Sequence, residues 1–107
     1  MEINVNSGSD PRSVAIDGEM TIYGAGEAKE KLLAALYDAE ELVIDLSQVI
    51  EMDTAGLQIV VLLWREANSA GKRVSLTGQS PAVRAVFDSY RVAPFFGVDA
   101  ITGEGNR

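Results

Sequence analysis

The chain has no cysteine and no histidine among its 107 residues. Without cysteine it can form neither disulfides nor thiolate metal sites, and it needs no such staples in a reducing compartment. Without histidine it lacks the side chain most often used as general base, proton shuttle and metal ligand near neutral pH. Basic residues are scarce too: nine Lys and Arg stand against sixteen Asp and Glu, a formal charge of −7. A phosphate-tracking surface needs clustered cations, so nucleic acid is not an expected partner. The longest unbroken apolar run is Ile59 to Trp64, far short of the roughly 20 residues of a membrane-spanning helix. The opening MEINVNSGSD has neither a basic nor an apolar signal region, and a cytoplasmic location without membrane insertion is the expectation.

What is present is enough apolar material for one core, 47% of the residues, on a length typical of one domain. Residues 1–107 are therefore expected to form a single domain. Ile3 and Val5 alternate with polar neighbours, Ser7 to Arg12 is rich in turn formers, and Val14 and Ile16 alternate again up to a break at Gly18. From Gly26 to Asp38, Ala28, Leu32, Ala35 and Leu36 recur at helical spacing, with Glu27 and Lys31 at i and i+4 on the polar face. Leu42, Val43, Ile44 and Leu46 read as a strand covered on both faces, interrupted by Asp45. Glu40 and Glu41 are expected at a solvated helix end.

Leu57 to Ala70 is helical in pattern and stops at Gly71, which suits a left-handed C-cap. Trp64 falls on its apolar side. Val74 and Leu76 mark a strand. Ser80-Pro81 opens a third helix, with Val83, Val86, Phe87 and Tyr90 on one face. Phe95 to Ile101 supplies a short last strand, and residues 102–107 a frayed tail. The order predicts an α/β fold with a mixed sheet of four to five strands and helices following strands.

The junction at residues 53–58 carries the chemistry. Asp53 is an N-cap candidate for the second helix, its carboxylate accepting from a backbone N–H one turn in. Thr54 then takes the first helical position with its hydroxyl near solvent. Ala55 and Gly56 keep the surface low for another chain to approach. A threonine that opens a helix is most often a cap or a solvated surface residue, and spacing alone does not make it a switch.

Residues 43–61, VIDLSQVIEMDTAGLQIVV, resemble the signature of STAS domains, the family of anti-sigma factor antagonists and related modules. The core is Asp53-Thr54-Ala55-Gly56-Leu57, preceded by the strand end Asp45-Leu46-Ser47. The likeness extends to IDGEMTIYGAGEAKEKLLAAL and GKRVSLTGQSPAVRAVFDSY. It implies a STAS fold and a non-enzymatic regulator that binds a protein partner through the N-terminus of the second helix. Thr54 would be the residue phosphorylated by a serine kinase that is also the anti-sigma factor. The implied contacts are Thr21, Tyr23, Asp53, Thr54, Ala55, Gly56, Leu57 and Gln58.

Antagonists typically carry Gly-Glu-Leu-Asp where this chain has Gly18-Glu19-Met20-Thr21, without the acid. Thr21-Ile22-Tyr23 and Leu57-Gln58 look closer to stand-alone STAS proteins of chemoreceptor-type signalling assemblies and to STAS subunits of lipid-transporting ABC systems. A constitutive adaptor is thus the alternative. Gly24-Ala25-Gly26 lacks the third glycine of a dinucleotide fingerprint, and no cofactor or metal site is expected. Asp45 and Asp53 are the one carboxylate pair expected at a common sheet edge. With no histidine beside them, Asp45 reads as a hydrogen-bonding residue that shapes the loop.

Overall fold

The structure is a computed structural model and describes residues 1–6, 8–9 and 11–91. Its elements run in the order β1 (Glu2–Asn6), β2 (Arg12–Met20), α1 (Ala25–Tyr37), β3 (Glu41–Met52), α2 (Thr54–Ser69), β4 (Arg73–Gln79) and α3 (Pro81–Ser89). The sheet order is β1-β2-β3-β4. β1 pairs antiparallel with β2, Ile3 opposite Ile16, whereas β2–β3 and β3–β4 are parallel, Ile44 lying between Val14 and Leu76. The mixed sheet follows from the connections, since a short turn returns β1 to β2 and helices carry the chain across to β3 and β4. The fifth strand expected over Phe95 to Ile101 and the tail at 102–107 lie outside the described residues.

Alternation along the central strands decides which face is covered. Val14 and Ile16, Leu42, Ile44 and Leu46, and Val74 and Leu76 are buried. The intervening Ala15, Val43, Asp45, Ser75 and Thr77 are only half-buried. β3 was expected to be covered on both faces, yet Asp45 and its polar neighbours leave one face partly open. The buried face meets Leu32 and Leu36 of α1, Val60 and Leu63 of α2 and Phe87 of α3 in one core. Trp64 is half-buried against that core.

Two strands are longer than their apolar patterns indicated. β2 does not break at Gly18; it continues to Met20, with Gly18 at φ 107 and a register shift between Gly18 and Glu19. Glycine takes this positive φ without a Cβ penalty, so the strand bends and goes on. β3 likewise runs past Leu46, where its pairing with β4 ends, and continues along β2 until Met52 faces Met20. Val49 and Met52 anchor this extension in the core. The extension places the start of α2 beyond the end of β4.

Glu41 is not at a helix end. It opens β3, and its carboxylate accepts from Ser75 Oγ at 3.4 Å. α1 stops instead at Tyr37, where Lys72 Nζ donates to the Leu36 and Tyr37 carbonyls at 3.0 and 2.8 Å. A cation there satisfies the orphaned carbonyls and suits the negative end of the helix dipole. The Lys31–Glu27 pair forms at 3.1 Å on the exposed face. Gly71 adopts φ 72 after α2, and Ser80 caps α3 by accepting from Val83 N at 3.2 Å.

Candidate functional site

The extended backbone of Asp53 (φ −114, ψ −172) turns the chain from β3 into α2. Its Oδ1 accepts from Gly56 N at 3.1 Å, the N-cap bond that the sequence implies. Its Oδ2 accepts from Ile22 N at 3.0 Å, and its own N–H donates to the Met20 carbonyl at 3.3 Å. One residue therefore fastens the end of β2, the loop after it and the first turn of α2. The Ile22 N–H, with smaller help from Gly56 and Ala55, holds the Asp53 carboxyl below its ordinary 3.8 against an opposing desolvation effect. The carboxylate is ionised at neutral pH and its lone pairs are engaged by the backbone.

Thr54 opens α2 and is exposed. Its Oγ1 lies 3.2 Å from the phenolic oxygen of Tyr90, a hydrogen bond in which either hydroxyl can donate. Tyr90 was expected on the apolar face of α3 with Val83, Val86 and Phe87. It stands one residue past the last turn instead, 56% exposed and directed at Thr54. The helix ends before Tyr90, so its phenol bridges to α2 while Val83 and Phe87 stay in the core.

Gly56 is buried, and its role differs from the one expected. A Cβ at this position would run into the Met20 carbonyl oxygen and stand 3.0 Å from Met20 Cβ and 3.1 Å from Met52 Cγ. Its smallness lets α2 close against the chain's own β2 and β3 ends; it is not a lowered surface for a visitor. Leu57 is 6% exposed and belongs mainly to the core, and Thr21 is 8% exposed. At that exposure little of the Thr21 side chain is open to a partner, unlike its neighbours Ile22 and Tyr23. Those two neighbours are 67% and 98% exposed. Asp53, Thr54, Ala55 and Gln58 share the accessible first turns of α2, and the Asp53–Ile22 bond brings the Ile22-Tyr23 loop beside them.

Asp45 and Asp53 do not form a pair. Asp45 accepts from Ser47 N at 2.9 Å and lines a separate hollow with Asn4, Val43 and Thr77 on the open face of the sheet. The bond to Ser47 does shape the strand locally, at the register shift between Asp45 and Leu46.

Residues 3–96 match a family model described as "Mlab, STAS domain". The chain belongs to the STAS domain family. Solved structures share this STAS fold at low identity. An anti-sigma factor antagonist from Mycobacterium paratuberculosis matches with a TM-score of 0.79 and 23% identity, over 89% of this chain and 81% of its own. The anti-sigma factor antagonist SpoIIAA in its unphosphorylated form matches with a TM-score of 0.73 and 20% identity, over 87% and 84%. The phosphorylated form of SpoIIAA, a Bacillus cell fate determinant, matches with a TM-score of 0.69 and 19% identity, over 87% and 86%.

The signature of this STAS domain marked the junction at Asp53 and Thr54 but did not single out four residues near it. Ile22 entered only as the middle of Thr21-Ile22-Tyr23 and was not among the implied contacts. Tyr90 was hidden in the helical periodicity of α3. Lys29 and Arg65, which line a groove beside Thr54, belong to no motif in the sequence. No helix of the described residues is long and apolar enough to cross a membrane.

Proposed function

We propose that this STAS domain, residues 1–107 as one unit, is a non-enzymatic cytoplasmic regulator. It binds an anti-sigma factor that is also a serine kinase through the N-terminus of α2, and phosphorylation of Thr54 switches it off. The observation that carries this reading is an exposed Thr54 hydroxyl at the first position of a capped helix, flanked by the exposed apolar pair Ile22 and Tyr23. Exposed large apolar side chains beside a polar switch residue mark a protein-binding surface. The solved antagonist SpoIIAA exists in phosphorylated and unphosphorylated forms, which supports the same chemistry here.

A phosphoryl group would add about −1.5 to −2 charges and three acceptor oxygens at this point. The helix N-terminus accommodates such an anion, so α2 stays folded. The partner bears the cost, through bulk, desolvation and repulsion added to the charge of Asp53. Intact mass and peptide mapping of the protein from its native cells test the switch. A phosphorylated fraction located at Thr54 is expected; phosphate confined to other residues overturns it.

A second reading draws on the family description, "Mlab, STAS domain", and makes the chain a constitutive adaptor of a lipid-transport ABC complex. A chemoreceptor-type signalling assembly is a further setting for such an adaptor. Thr54 would then act by contact. Thr54→Ala and Thr54→Glu would weaken binding alike, and no phosphorylated form would accumulate.

A further inference from the structure

Beside the Thr54 hydroxyl runs an open groove of about 760 Å³, walled by the first turns of α1 and the outer face of α2. Thr54, Gln58, Val61, Leu62 and Arg65 recur at helical spacing, so they form one stripe along α2. The stripe spans three turns, roughly 16 Å at 1.5 Å per residue. Its middle is apolar, with Val61 and Leu62 only half-buried. The facing wall is low because α1 begins with Ala25 and Gly26, after which Lys29 stands exposed.

The charge of this groove opposes that of the molecule. The chain carries −7 overall, yet among the described residues the lining includes Lys29 and Arg65 and no carboxylate. Among the described residues neither cation makes an ion pair; the pairs formed are Arg12–Asp38 and Lys31–Glu27.

We propose that the groove receives an amphipathic acidic segment of the protein partner, about three helical turns long. Its apolar side lies on Val61 and Leu62, and its carboxylates face Lys29 and Arg65. The proposal rests on the reading that the start of α2 meets a protein, and it specifies the chemistry of that protein. Charge complementarity of this kind sets specificity and speeds encounter. It also explains why the switch sits where it does. Thr54 lines the same groove, so a phosphate there places like charge at the head of the acidic segment's seat, where it repels the segment.

Photo-crosslinking in the native cells tests this, with a benzophenone amino acid in place of Tyr23 or of Gln58. Both side chains are exposed, the first on the loop platform and the second in the groove. The Gln58 position is expected to capture a peptide with spaced apolar residues and a net negative charge. In the Lys29→Glu/Arg65→Glu variant, with its circular dichroism unchanged, that capture falls roughly tenfold or more, since like charges now face each other. A basic peptide, a second copy of this chain or no protein at Gln58, while Tyr23 still captures one, overturns the groove and leaves the platform standing. No protein at either position overturns both.

Discussion

Replacing Gly56 with alanine tests whether α2 seats as tightly on the strand ends as the geometry requires. The added methyl meets the Met20 carbonyl oxygen, with Met20 Cβ at 3.0 Å and Met52 Cγ at 3.1 Å behind it. A flexible side-chain tip could swing away, but this oxygen is backbone and already accepts the Asp53 N–H at 3.3 Å. Relief therefore moves the first turn of α2 off β2. Overpacking of this kind costs about 1–3 kcal/mol, and alanine returns at most about 1 kcal/mol of helix propensity. A net loss of about 1–2 kcal/mol is expected, which lowers Tm by roughly 5–15 °C in a domain of this size. Gly26→Ala is the control: it too lies in a helix, and a Cβ there finds nothing within 4 Å. That change should stabilise by about 0.5–1 kcal/mol. Urea unfolding followed by circular dichroism measures both. A Gly56→Ala protein as stable as the parent would refute the close seating.

Other perturbations reach the site and the core. Asp53 is a carboxyl held below its ordinary 3.8, chiefly by the Ile22 N–H. It therefore stabilises the fold above the unfolded value and loses that stabilisation as pH falls through the folded one. The stability gap between the parent and Asp53→Asn should shrink as pH falls through and below the ordinary carboxyl value; a gap that does not change with pH contradicts the assignment. Tyr90→Phe removes the partner of Thr54 Oγ1 and should cost no more than about 1 kcal/mol. Its NMR shift changes should centre on Thr54 and Ala55, and changes confined to α3 would deny the bridge. Leu63→Ala empties a site only 1% exposed and should cost about 2–5 kcal/mol in the same urea assay.

The layer order was legible because apolar spacing switched cleanly between helical and strand periods, as at Ala28-Leu32-Leu36 and Val74-Leu76. Strand lengths were not. Gly18 looked like a stop, since sequence does not show that a positive φ can bend a strand without ending it. The apolar pattern of β3 ends at Leu46, because Ser47 and Gln48 on its extension are exposed. At the site, Asp53 stood out through local cap chemistry and Thr54 through the resemblance to the STAS signature, and both signals lie in neighbours in sequence. Tyr90, 36 residues from Thr54, and the Met20 carbonyl against Gly56 depend on tertiary approach. No local pattern encodes either contact.

The most direct test is the amount of partner that co-purifies from native cells with the parent, Thr54→Ala and Thr54→Glu proteins. If the start of α2 is a charge-sensed switch, alanine keeps most of the partner, whereas glutamate loses about tenfold or more through repulsion at the contact. Equal retention by all three would show that no partner senses this position.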